Sequence, residues 1–275
     1  MAAEAAIMKE QQEIQRLEHV FGSQKEAFAA DPMPDLHQRR ADLDRLRGAV
    51  VSFRKRLADA VSKDFGSRSR HETLAEIMTT VQGMRHARSH LRKWMKPSKR
   101  RAGLLLAITS CKVCYQPKGV VGIIVPWNYP IALSLGPLTC ALAAGNRVIL
   151  KISESTPHTG DVLAEMIQSV FDEDHVAVIQ GEVETGKVFS RLPFDHLLFT
   201  GSTEVGRHIM QAASENLTPV TLELGGKSPT LISEDVPMDM AAERICFGKA
   251  FNAGQTCVAP DYVLCPSGRV DEFVL

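Results

Sequence analysis

Between residues 120 and 224 the chain repeats one pattern: a short aliphatic run, a turn, then a stretch of helical length. Residues 120–125, 147–152, 175–181, 197–200 and 220–224 read as strands, because runs of Val, Ile and Leu suit a sheet covered on both faces. Residues 133–144 read as a helix stopped by Gly145-Asn146, and the next helix opens at Pro157, where a missing N–H costs nothing. Helices over 184–191 and 204–213 complete the alternation. The class it implies is α/β, a doubly wound parallel sheet. Such sheets bind ligands beyond the carboxyl ends of their strands. Function is therefore expected in the loops "PWNYP", "KISE", "TGSTEVG" and "ELGGK".

Ahead of the sheet, helical spacing recurs in three stripes. Ile7, Ile14, Leu17 and Phe21 precede a break at Asp31-Pro32; Leu43, Leu46, Val50, Phe53, Leu57 and Val61 follow; Leu74, Ile77, Val81, Met84 and Leu91 close near Pro97. These stripes predict core packing and no chemistry. The basic run "KWMKPSKRR", residues 93–101, has neither an aromatic platform nor a zinc motif beside it, so it reads as a solvated, mobile connector rather than a nucleic-acid site.

Formal charge is zero, so no global field draws the chain to nucleic acid or an anionic membrane. No apolar run approaches bilayer length, and the amphipathic start resembles no leader peptide. The six cysteines are scattered, which suits reduced thiols and a cytoplasmic location. The C-x-x-C of Cys111 and Cys114 lies in a strand-like run with no second pair, which favours a structural role.

Single motifs leave two readings open. "FTGSTEVG", residues 199–206, follows a strand and opens a helix whose N–H groups suit a phosphate, yet it lacks the G-x-G-x-x-G fingerprint. Lys151 and Glu154 follow the second strand, where an acid suits ribose hydroxyls; in isolation they read as solvated. Asn128, between Pro126 and Pro130, is either a stiffened amide donor to an oxyanion or an Asx-turn residue. Glu223 lies in an apolar run, where burial would raise its pKa toward that of a general base; otherwise it pairs with an arginine. Cys257, in "GQTC", is either an inert half-buried thiol or a nucleophile in a cleft.

Taken in order, "PWNYP", "KISE", "FTGSTEVG", "LELGGKSP" and "GQTC", with Glu223 34 residues before the cysteine, resemble the aldehyde dehydrogenase superfamily. "GQTCVAPDYVLC" is similar to its class 3 branch, and "KWMKP…VCYQPKGVVGIIVPWNYP" to bacterial coniferyl aldehyde dehydrogenases. The resemblance implies a Rossmann-like cofactor domain with N-terminal helices over 1–224, in which a strand over 111–118 serves oligomerisation, and an incomplete catalytic domain over 225–275. It implies Cys257 as nucleophile, Asn128 with the Cys257 N–H holding the oxyanion, and Glu223 activating water. It assigns Lys151 and Glu154 to the adenosine ribose, Ser202 to the pyrophosphate and Gly201 to the cofactor site. Val205 is assigned to the adenine, Trp127 to the cofactor cleft and the backbone around Leu224-Gly225 to the nicotinamide; Tyr129 is assigned to the substrate side. NAD is the implied cofactor, with NADP tolerated, and the substrate is an aromatic or aliphatic aldehyde. No metal is implied, and full-length relatives are homodimers.

Two departures accompany the resemblance. Ile152 stands where the family's K-P-S-E turn has proline. The sequence given also stops shortly after Cys257, so the implied protein is C-terminally truncated and lacks the E-x-F-G-P segment. That leaves an inactive nucleotide-binding remnant as the alternative expectation. An acylating dehydrogenase using coenzyme A fits less well, because those relatives lack the hydrolytic glutamate.

Overall fold

The computed structural model describes residues 2–106 and 108–274. Three helices lead: α1 (Ala2–Ala30), α2 (Leu36–Phe65) and α3 (Arg70–Trp94). α1 stops before Asp31-Pro32, as the sequence predicts. Asp35 opens α2 through a reciprocal capping box with Gln38, and Gly66 closes it in the left-handed conformation at φ 72°. Leu17, Leu43, Leu46, Val50, Leu57, Val61, Met84 and Leu91 are buried as expected, whereas Ile7 and Leu74 are exposed.

The basic run is not a free connector. Within it β1 (Ser98–Arg100) pairs antiparallel with β2 (Cys111–Val113), Ser98 opposite Val113 and Arg100 opposite Cys111. The strand expected over 111–118 is confined to three residues. Farther on, Pro117 offers no N–H to a ladder, and Gly119 turns the chain at φ 139°.

β3 (Val120–Ile124), α4 (Ala132–Ala144), β4 (Arg147–Lys151), α5 (Pro157–Gln168), β5 (Val176–Ile179), α6 (Val183–Arg191), β6 (His196–Gly201), α7 (Thr203–Ser214) and β7 (Val220–Leu224) realise the expected alternation. The five strands are all parallel, in the order β5-β4-β3-β6-β7. α1, α6 and α7 build one core against the sheet around Ile149, Phe189, Phe194, Leu197 and Phe199. The other core joins α4 and α5 to the sheet, with α2 and α3 packed outside them, around Ile123, Leu135, Leu138, Leu150 and Leu163. Each such side chain taken fully from water contributes about 1.5–3 kcal/mol.

Gly122 marks where the first of these cores is tightest. A methyl group there would lie 2.8 Å from Phe194 and 2.9 Å from Leu197 and Phe189. Beyond the sheet, β8 (Ser228–Leu231) pairs parallel with β9 (Pro260–Leu264), joined by α8 (Met238–Ala250), and α9 (Val270–Val274) ends the described chain. No helix among the described residues is long and apolar enough to cross a membrane.

Candidate active site

The chain lays β3, β4 and β5 outward in one direction and then returns to place β6 and β7 on the other side of β3. This reversal opens a crevice beyond the carboxyl ends of β3 and β6, where a ligand meets little steric hindrance. One wall is the loop of residues 125–131 and the other is the start of α7.

On the first wall Trp127 is exposed and tilts against Phe65 at 6.0 Å. Asn128 Nδ2 donates to the Gln255 carbonyl at 2.9 Å, and the Tyr129 hydroxyl lies 2.8 Å from that of Thr256. Two residues within this loop's proline-stiffened turn therefore reach the segment that carries Cys257.

That segment has an unusual backbone. Asn252 and Ala253, at φ 51° and 53°, and Gly254, at φ 75°, all occupy the left-handed region. Each non-glycine residue there costs about 1–2 kcal/mol. The turn is held because Asn252 is buried and its Nδ2 donates to Asn128 O at 3.0 Å and to Gln255 O at 3.3 Å. Cys257 follows, exposed. The Gly225-Gly226 turn after β7 also arrives here: a methyl group at Gly226 would lie 3.7 Å from the Cys257 carbonyl oxygen.

On the second wall Ser202 caps α7, its hydroxyl accepting from Val205 N at 3.3 Å. Gly201 has no room for a side chain, since a methyl group would fall 2.4 Å from the Phe199 ring. Leu224 packs α7 onto β7, its Cδ2 2.8 Å from where a Gly206 methyl would stand. Val205 and Val183 are both exposed, in the first turns of α7 and α6, two helices that pack against each other. Around Gly225 space is open.

Two residues differ from expectation. Lys151 is buried, not solvated; its Nζ donates to Ile152 O at 2.8 Å and lies 4.0 Å from the exposed Glu154 carboxylate. Burial pushes the ammonium pKa down, against the pull of Glu154, Glu10, Glu182 and Glu13. Glu223, expected to be buried in an apolar run, is exposed. β7 is an edge strand, and the helix packed on it, α7, belongs to the core of Leu222 and Leu224, so alternation turns Glu223 the other way. No ion pair forms to it among the described residues, so the arginine-paired reading is not met either.

Sequence reasoning missed Arg68, Glu76, Asn252 and Val183. Arg68 Nη1 donates to Asn128 O at 3.0 Å, and its Nη2 to Glu76 Oε2 at 3.0 Å. Glu76 held a legible signal, an acid inside the apolar stripe beside Ile77; Arg68 and Asn252, in turns, held none.

The strand reversal, the capped α7 and the asparagine-bound cysteine loop define an α/β protein with a cysteine loop set beside the carboxyl ends of a parallel sheet, and the sequence profile of the aldehyde dehydrogenase family matches residues 7–275. The chain belongs to that family. It is 58% identical to a probable coniferyl aldehyde dehydrogenase of Pseudomonas aeruginosa over 276 aligned positions, covering 100% of this chain and 58% of the relative. A coniferyl aldehyde dehydrogenase of a Pseudomonas species is 48% identical, over 91% of this chain and 52% of its own. Among solved structures, a substrate-bound Staphylococcus aureus AldH superposes with a TM-score of 0.89 at 40% identity, covering 94% of this chain and 56% of that one. Betaine aldehyde dehydrogenase from the same organism, in complex with NAD+, superposes with a TM-score of 0.84 at 28% identity, covering 94% and 51%. The chain thus spans little more than half the length of these relatives.

Proposed function

We propose that this chain carries the cofactor-binding domain, over 1–224, and the nucleophile-bearing part of the catalytic domain, over 225–275, of an NAD(P)-dependent aldehyde dehydrogenase. The substrate is an aldehyde, aromatic such as coniferyl aldehyde or aliphatic, and the product is the carboxylic acid. The observation that carries this reading is the Asn128–Gln255 hydrogen bond, which ties a stiffened amide to the loop of Cys257.

The residues beside the crevice fit a dinucleotide. Ser202 and the first N–H groups of α7 suit a pyrophosphate, aided by the helix dipole and the bare Gly201. Val183 and Val205 offer apolar sides to an adenine, Glu154 a carboxylate to ribose hydroxyls, and Gly225 an open backbone to the nicotinamide end. Bound, the cofactor supplies the hydride acceptor. The exposed Glu154 favours NAD, since its charge opposes a 2′-phosphate.

Cys257 Sγ attacks the aldehyde carbon, giving a thiohemiacetal whose oxygen bears the developing charge. The second N–H of the Asn128 amide, left over once the first is engaged by Gln255 O, and the Cys257 N–H donate to that oxygen. Once that carbon has given up its hydride the captured group is a thioester, and Glu223 would take a proton from the water that hydrolyses it, freeing the acid and the Cys257 thiol. Its exposure keeps it within reach of that water. Tyr129, held by Thr256 and stacked on Phe251 at 6.5 Å, is the residue assigned to the substrate side.

Cys257→Ala tests the reading. Acid production should fall by at least about 10³-fold while NAD still raises the melting temperature; wild-type acid production by the variant would overturn it.

A further inference from the structure

We propose that the buried Arg68–Glu76 pair is a positioning element of the candidate active site, holding the Asn128–Tyr129 turn against the cysteine loop so that the Asn128 amide meets the reacting oxygen in register. The inference rests on the proposed role of Asn128 as oxyanion donor.

The pair sits outside both crevice walls. Arg68 belongs to the turn between α2 and α3, and Glu76 to α3; their side chains are 2% and 3% exposed. Isolating two charges from water costs several kcal/mol apiece, so their partners decide what the arrangement achieves. Beyond each other, the hydrogen-bond partners of the two side chains all lie on the 125–131 loop or at the start of α4. Glu76 Oε1 accepts from Ile131 N at 3.1 Å and Ala132 N at 2.7 Å, the opening donors of α4, where Ile131 provides no side-chain cap. Burial raises the Glu76 pKa, and these two N–H groups and Arg68 oppose that rise. The Arg68 fork then spans from Glu76 to the Asn128 carbonyl, while its plane lies over Tyr129 at 4.8 Å and Phe65 at 5.3 Å. A single ion pair therefore pins both ends of the 128–132 segment.

The Asn128 carbonyl has a second donor, Asn252 Nδ2 at 3.0 Å from the left-handed turn. With Arg68 on one side and Asn252 on the other, both lone pairs of that oxygen are engaged and the peptide plane is set. The side-chain amide of the same residue then closes the ring onto Gln255 O. Stability alone does not account for this design. Arg68 Nε is buried without a hydrogen-bond partner and makes only a long ion pair, 4.0 Å, with Glu72. A pair arranged only to stabilise would not leave a donor unmet, since that forfeits free energy. A pair arranged to aim the loop directs its remaining donors at Glu76 and Asn128, as found.

A double-mutant cycle on the purified protein separates positioning from support. Arg68→Lys keeps the charge for Glu76 but lacks the fork that reaches both partners. It should lower kcat about 10-fold, with Kd for NAD and the melting temperature near those of wild type. Asn128→Ala should lower kcat by about 10²–10³-fold. In the Asn128→Ala background, Arg68→Lys should change kcat by less than about twofold, because the amide it aims is gone. Glu76→Gln, which keeps an acceptor for α4 but loosens Arg68, should repeat the kcat loss and its dependence on Asn128. Full multiplication of the two losses, a kcat unchanged by Arg68→Lys, or a kcat loss matched by lost NAD affinity and a lowered melting temperature would each overturn the proposal. Asn128→Ala at the wild-type rate would instead overturn the oxyanion reading, and this inference with it.

Discussion

Asn128 Nδ2 and the Gln255 carbonyl meet at 2.9 Å although 127 residues separate them in the chain. The contact joins the turn after the central strand β3 to the loop two residues before Cys257. Whatever moves one side should be read at the other, and the left-handed turn that supports the loop is the place to look first.

Gly254→Ala puts a methyl group at φ 75° and 3.1 Å from the Lys249 carbonyl oxygen. The left-handed conformation costs about 1–2 kcal/mol for an alanine, and the carbonyl contact adds to it. The variant should melt lower and alkylate Cys257 with iodoacetamide at an altered rate. An unchanged melt and labelling rate would show that the turn does not hold the cysteine loop.

Glu223→Gln should separate the two halves of the reaction. In the proposed mechanism capture of the aldehyde by Cys257 does not need the carboxylate, whereas hydrolysis of the thioester does. A rapid burst of NADH followed by slow turnover is expected in stopped-flow traces, with an acyl adduct visible by mass spectrometry. Loss of the burst itself would assign Glu223 to the first half. Faster turnover of the variant on adding coenzyme A would show the thioester within reach of other acceptors.

Glu154→Gln should relax cofactor choice. The Glu154 carboxylate is exposed beside the end of β4, 4.0 Å from Lys151 Nζ. Removing one like charge near a 2′-phosphate is worth about 1 kcal/mol in a water-like dielectric, so the ratio of kcat/KM for NADP over NAD should rise about fivefold. A ratio that stays put would take Glu154 out of the ribose site.

Stability should fall as the solution is acidified below neutrality, through His175. Burial lowers its pKa from 6.5, and Arg147 and Arg45 lower it further, against Asp42 and Asp174. This imidazole, at the opposite end of the sheet from the candidate site, therefore takes up its proton at a lower pH than a free one. Above 6.5 folded and unfolded chains are both neutral and the full stability is present. As pH drops, the unfolded chain binds the proton first, and stability is lost until the folded value is passed. His196, lowered by burial and Lys118, acts in the same direction. Glu76 acts oppositely: raised above 4.5, it contributes stability that is present below 4.5 and lost as pH rises through its folded value. As pH falls from about 7 to 5 the histidine contribution should lower the melting temperature, and His175→Gln should flatten that part of the slope. A parallel curve for the variant would remove His175 from the account.

The parts legible in the sequence were those whose physics is local. Alternating aliphatic runs and helical stripes predicted every strand and helix of the parallel sheet. The stop at Gly145, the start at Pro157 and the turn at Ser202 each depend on one residue's own backbone or hydroxyl. Strand ends carried the candidate residues, and a parallel sheet gathers its strand ends along one edge.

Burial and long-range pairing were settled only in three dimensions. Glu223 sits in an apolar run, yet it is exposed because β7 falls at the sheet's edge, a consequence of strand order rather than of its neighbours in the chain. Lys151 reads as a solvated loop lysine, yet it lies buried where α1 and α6 bring Glu10, Glu13 and Glu182 near it. The fork of Arg68, the cap supplied by Glu76 and the amide of Asn252 reach across 60, 55 and 124 residues. Local propensity sets which elements form. Hydrogen bonds across such separations exist only once packing has chosen which elements meet, and that choice decided how Asn128 and Cys257 are held.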